Sequence, residues 1–65
     1  GGIIMRYSEL IKELRKIKCT IIREGGNHTI WHSPLTGKQF PVSRHTSEEI
    51  PPGTLKAIKR DAGLL

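Results

Sequence analysis

Three histidines and one cysteine are the side chains in this sequence that first invite chemistry. His28 and His32 stand four residues apart, a spacing that suits a shared metal ion if both lie on a helix. The run that holds them, Gly25-Gly26-Asn27-His28-Thr29-Ile30-Trp31-His32, opens with a turn signal and continues with β-branched and aromatic residues. It predicts a strand. On a strand the two imidazoles share a face but lie about 13 Å apart, at roughly 3.3 Å per residue. Zinc–nitrogen bonds of about 2.0 Å do not span that gap, so no metal site and no other cofactor is expected. Cys19 has no neighbour of the kind that activates a thiol and reads as a small buried hydrophobe. The sequence has neither a Gly-x-Ser-x-Gly elbow nor a phosphate-binding loop, and Gly25-Gly26 alone is too short to argue for nucleotide binding.

What remains is acid–base chemistry. His28 follows the turn directly, at the rim of the predicted sheet, where a side chain can reach a substrate. Imidazole exchanges protons near neutrality, which suits general acid–base work. RNA carries its own nucleophile, the 2′-hydroxyl, and can be cleaved without metal by a group that takes that proton beside cations that stabilise the phosphorane. The alternative is an exposed turn histidine with no role. His32 faces solvent late in its strand, with a phosphate contact as the other option. His45, beside Arg44 in a polar connection, is a second candidate for proton transfer or phosphate binding. Lys56, Lys59 and Arg60 fall at i, i+3 and i+4 and make either a phosphate clamp or a solvated helix face. Trp31 is a core or lid residue, with base stacking the remaining possibility.

These groups need a scaffold, and the pattern supplies one. Leu10, Ile11, Leu14 and Ile17 recur at helical spacing behind Ser8, a candidate N-cap, and predict a helix from Ser8 to about Lys18. Glu9–Lys12 and Glu13–Lys16 are i,i+3 pairs on its solvated face. Cys19–Glu24 and His28–His32 read as strands, and Lys38–Val42 as a third. Pro41 has no N–H for a ladder and sends that third strand to the sheet edge or marks a bulge. Ser43–Ile50 is a polar connection. Pro51-Pro52-Gly53-Thr54 announces a second helix, with Pro52 in its first turn or Thr54 as cap. Leu55, Ile58 and Ala62 form its apolar face, and Gly63 is placed to stop it. The fold class is α+β, in the order α-β-β-β-α, with both helices on one face of a three-stranded antiparallel sheet.

Sixty-five residues make one small domain, read as residues 5–65. Gly1–Ile4 precede the only methionine, Met5, and read as a vector remnant or a disordered N-terminus. A chain this short buries only about 60% of its unfolded surface, so its core is modest. The single cysteine excludes an internal disulfide and favours a reducing cytoplasm. No apolar run approaches the roughly 20 residues of a membrane helix, and no membrane partner is expected. Eleven Lys and Arg against six Asp and Glu give a net charge of +5. That field suits a polyanion, and ordinary solubility charge is the alternative.

Arg23-Glu24-Gly25-Gly26-Asn27-His28-Thr29-Ile30-Trp31 resembles the turn-and-histidine strand of the HicA toxins, small mRNA interferases. Arg44-His45, Glu49-Ile50, Pro52-Gly53-Thr54-Leu55-Lys56-Ala57-Ile58 and Asp61-Ala62-Gly63-Leu64 are similar to that family's second half, and Ser8-Glu9-Leu10-Ile11 to its first helix. The likeness runs from about Met5 to Leu65. It implies a fold like that of double-stranded-RNA-binding domains, and a ribonuclease that cuts messenger RNA and stalls translation. A HicB-type antitoxin would hold it silent. Oligomeric state stays open: a monomer when free is one reading, and pairing of the exposed edge strand with another copy or with antitoxin is the other. The resemblance places the catalytic histidine at His28 and the turn glycine at Gly26. Ser43 stands where members commonly carry proline, two residues before His45, which leaves the register of the third strand open. RNA-binding positions on this reading are Gly26, Arg44, His45, Lys56, Lys59 and Arg60. A non-catalytic RNA-binding module of the same fold is the rival.

Overall fold

Leu10 and Leu14, one helical turn apart, are fully buried, and Tyr7 beside them is 7% exposed. This stripe makes the first helix amphipathic. The computed structural model describes residues 5–65; the expectation for Gly1–Ile4 lies outside the described residues. The element order is α1 (Tyr7–Lys16), β1 (Thr20–Glu24), β2 (His28–His32), β3 (Gln39–Ser43) and α2 (Pro52–Ala62). The three strands form one antiparallel sheet in the order β1-β2-β3, so the predicted α-β-β-β-α architecture holds.

Strand alternation decides which side chains enter the core. Thr29 and Trp31 of β2 pair with Val42 and Phe40 of β3, and all four are buried. They meet Leu10 and Leu14 of α1 and Ile58 and Ala62 of α2, with Cys19 and Ile50 completing the cluster. The helices therefore cover one face of the sheet. The other face carries His28, Ile30 and His32, with Ser43, Pro41 and Gln39 as their partners on β3. Pro41 sits on an edge strand opposite Ile30, which closes the open question of register.

The helix termini depart from expectation in one place and meet it in another. Ser8 is not the cap of α1; Arg6 holds that position, with the Glu9 carboxylate accepting from its backbone N–H at 3.3 Å. Ser8 is displaced because a distant segment does the capping. The N–H groups of Tyr7 and Ser8 donate to the carbonyls of Glu48 and Thr46 at 3.1 and 3.0 Å. The polar connection after β3 thus satisfies donors that a helix start leaves bare. The helix also stops at Lys16 rather than Lys18. Lys18 takes a left-handed φ of 69°, and the N–H groups of Lys18 and Cys19 return to Arg15 and Leu14. In α2, Pro52 occupies the first turn and Thr54 is not the cap, while Gly63 ends the helix at φ 91° as expected. Of the two surface pairs, Lys16–Glu13 forms at 3.6 Å.

Candidate active site

His28 is the first residue of β2, and its side chain is exposed on the face away from the helices. Alternation puts it there: Thr29 and Trp31 take the core side, so His28 and the half-buried Ile30 take the other. Trp31 is 2% exposed, with the Arg15 guanidinium 5.7 Å from its ring centroid, and so serves the core rather than a base.

The turn before His28 is held by identifiable bonds. The Gly25 N–H donates to the His28 carbonyl at 2.8 Å. From the end of β3, the Arg44 N–H donates to the Asn27 carbonyl at 3.1 Å, and the Arg44 guanidinium donates to the Gly25 carbonyl at 2.9 Å. Neither Gly25 nor Gly26 takes a positive φ, so this turn does not use the left-handed freedom that glycine pairs commonly supply. A Cβ on Gly25 would lie 3.1 Å from the His28 carbonyl oxygen, whereas a Cβ on Gly26 would meet nothing within 4 Å. The two glycines differ in what they do: Gly25 lets the chain close, and Gly26 leaves the surface of the turn open.

A shallow hollow beside the turn is lined by Arg23, Gly25, Gly26, Asn27, His28 and Ile30. Arg23 escaped sequence reading because strict alternation from Ile21, which pairs with Trp31, places it opposite Thr29 on the core side. The register instead jumps at Ile22 and pairs Arg23 with Ile30. That bulge turns Arg23 onto the face of His28. A bulge has no dependable signature in a run such as Thr-Ile-Ile-Arg-Glu, so only pairing could reveal it.

The other sequence candidates divide by location. His45 follows Arg44 at the same end of the sheet, and its N–H donates to Ser43 Oγ at 3.2 Å; Ser43 is the β3 partner of His28. Lys56 and Lys59 lie on α2, in the helical layer across the sheet from His28, and border a different hollow with Ile50, Pro52, Leu55 and Leu65. Arg60, on the same helix, approaches Asp61 Oδ1 at 3.8 Å. The fold thus gathers Gly26, His28, Arg44 and His45 around one turn, adds Arg23, and leaves the α2 cations behind the sheet. His32 ends β2 opposite Gln39, four extended residues and about 13 Å from His28.

A family model described as the HicA toxin of bacterial toxin–antitoxin systems matches residues 7–64, nearly the whole chain. The chain belongs to the HicA toxin family. It is the toxin of a toxin–antitoxin pair, and an antitoxin is its partner. No curated protein and no solved structure matches it. In this HicA toxin no helix of the described residues is long and apolar enough to cross a membrane.

Proposed function

We propose that this HicA toxin is a metal-independent endoribonuclease that cuts messenger RNA, with His28 as its proton-transfer group, and so stops translation. The observation that carries the reading is the exposure of His28 in a hollow shared with Arg23, on a turn that Arg44 ties to the neighbouring strand. The imidazole takes the proton of a ribose 2′-hydroxyl, whose oxygen attacks the adjacent phosphorus. The bond to the 5′-oxygen breaks, and that oxygen gains a proton as it leaves. The products are a 2′,3′-cyclic phosphate and a 5′-hydroxyl. Arg23 supplies positive charge beside the phosphorane, and Gly26 lets the sugar–phosphate chain approach the turn. His45 stands at the same end of the sheet as a second proton-transfer or phosphate-binding group, and Lys56, Lys59 and Arg60 attract RNA without touching the bond that breaks. The antitoxin, of HicB type, silences the toxin in the cytoplasm by covering the hollow.

The test is cleavage of a labelled single-stranded RNA by wild-type and His28→Ala protein with a chelator present. Removing a positioned general base costs about 10²–10⁴ in rate, so His28→Ala should lose nearly all cleavage while keeping its fold. Equal cleavage by both proteins sinks the reading. Salt-dependent RNA binding with no cleavage by either protein makes the chain a non-catalytic RNA-binding module instead.

A further inference from the structure

The outer face of the sheet holds a second hollow, beside the one at His28, lined by Ile22, Arg23, Ile30, Gln39, Phe40 and Pro41. The two hollows share Arg23 and Ile30. We propose that this second hollow is a nucleobase subsite, which seats a base of single-stranded RNA next to the phosphate at His28. The proposal rests on the endoribonuclease reading and names how that site holds its substrate.

Three features carry it. The floor is apolar and open: Ile22 is 49% exposed, Pro41 is exposed and Ile30 half-buried, although helices cover the opposite face completely enough to leave Trp31 and Phe40 at 2%. A flat base can lie on such a floor, as bases do between apolar side chains where no aromatic is offered. Tyr7, Trp31 and Phe40 are all buried in the core. The second feature is order. His28 to Ile30 is two residues of strand, about 6.6 Å, with Arg23 paired to Ile30 between the hollows. The imidazole stands at one end and the apolar row of Ile30 and Pro41 one step along, with the cation level with that row, an arrangement that matches a strand of RNA in which phosphate and base alternate. A guanidinium suits both, by charge to phosphate and by its plane to a base. The third feature is Gln39, exposed at the far border, whose amide offers donors and an acceptor to a base edge.

The test maps backbone amide shifts in ¹⁵N-labelled protein on addition of a dinucleotide whose first sugar is 2′-deoxy and therefore cannot be cleaved. The amides of Ile22 and Gln39, which border the second hollow and not the first, should move together with those of Gly26 and His28. The same compound lacking its second base should move only the Gly26–His28 group. Shifts confined to residues 23–28 with either compound overturn the subsite while leaving the role of His28 intact. Shifts at neither hollow overturn both readings. A kinetic arm uses Ile22→Ala, a neutral change at an exposed position: KM for RNA should rise about tenfold with kcat unchanged, the size expected for one stacked base. An unchanged KM in the folded variant overturns the subsite. So does a variant that cleaves normally but no longer binds antitoxin, which would assign the face to the protein partner.

Discussion

The Arg44 guanidinium donates to the Gly25 carbonyl at 2.9 Å and so fastens the turn that carries His28 to the end of β3. One nitrogen of the exposed Arg44 side chain thus serves the scaffold of the turn, although its charge alone marks it as a phosphate contact. Its removal should therefore act through geometry. A displacement of about 1 Å at a reacting group can cost 10²-fold in rate, so Arg44→Ala should lower kcat by roughly 10–10². Losing one hydrogen bond should cost about 1 kcal/mol, or about 4–8 °C in Tm for a domain this small. Arg44→Lys keeps the charge without the planar fork and should recover little. The salt dependence of RNA binding separates the roles. A strut leaves the slope of log K against log salt unchanged, whereas a phosphate contact lowers it by about one.

Gly25 and Gly26 make a matched pair of probes. An added Cβ at Gly25 meets the His28 carbonyl oxygen at 3.1 Å, and that oxygen already accepts the 2.8 Å bond from the Gly25 N–H. Gly25→Ala should loosen the hairpin by about 1 kcal/mol and lower cleavage with it. Gly26→Ala adds its methyl to open space without backbone strain, so Tm should stay within about 2 °C of wild type. If RNA passes over this turn, KM should nevertheless rise. A Gly26→Ala protein with wild-type KM would show that substrate does not approach there.

The residues divide cleanly into those that periodicity exposes and those that need a partner to be understood. Leu10 with Leu14 and Ile58 with Ala62 announce their core faces through spacing alone, because burial follows the repeat of the element, whereas alternation puts Thr29 with Trp31 without saying which face of β2 turns inward. His28 was legible for the same reason: a turn signal placed it at a strand end. Arg23 was not, because the Ile22 bulge exists only in the pairing with β2. The displaced cap of α1 also needed a non-local partner, the segment from Thr46 to Glu48. Lys56, Lys59 and Arg60 all fall within α2, as their spacing suggests, yet spacing cannot say on which side of the sheet they lie.

Ser33 is the polar residue that sequence gave no reason to single out, and it is fully buried. Its hydroxyl donates to the Ala62 carbonyl at 2.6 Å and accepts from the Leu35 N–H at 3.2 Å, joining the exit of β2 to the end of α2. Ser33→Ala strands both partners. It should cost about 1–3 kcal/mol in chemical denaturation, with kcat and KM unchanged because the bond lies away from the His28 turn. Gly63 belongs to the same joint. A Cβ there would meet Leu35 Cβ at 3.1 Å, and its φ of 91° disfavours any side chain, so Gly63→Ala should be destabilising by a similar amount.

Lys18 offers the opposite prospect, a stabilising change. It sits just past α1 with φ 69°, a conformation in which its Cβ crowds the backbone. The bonds around it, Lys18 N–H to Arg15 at 3.1 Å and Cys19 N–H to Leu14 at 3.0 Å, form the double closure in which glycine is usually found at this position. Its side chain is exposed, so its removal sacrifices no packing. Lys18→Gly relieves the crowding but also gives the unfolded chain more freedom, and the first effect should exceed the second. The expected gain is about 0.5–1 kcal/mol, seen as a Tm higher by about 2–8 °C with cleavage unaffected. A Lys18→Gly protein less stable than wild type would mean that the lysine contributes more at the helix end than its backbone conformation costs.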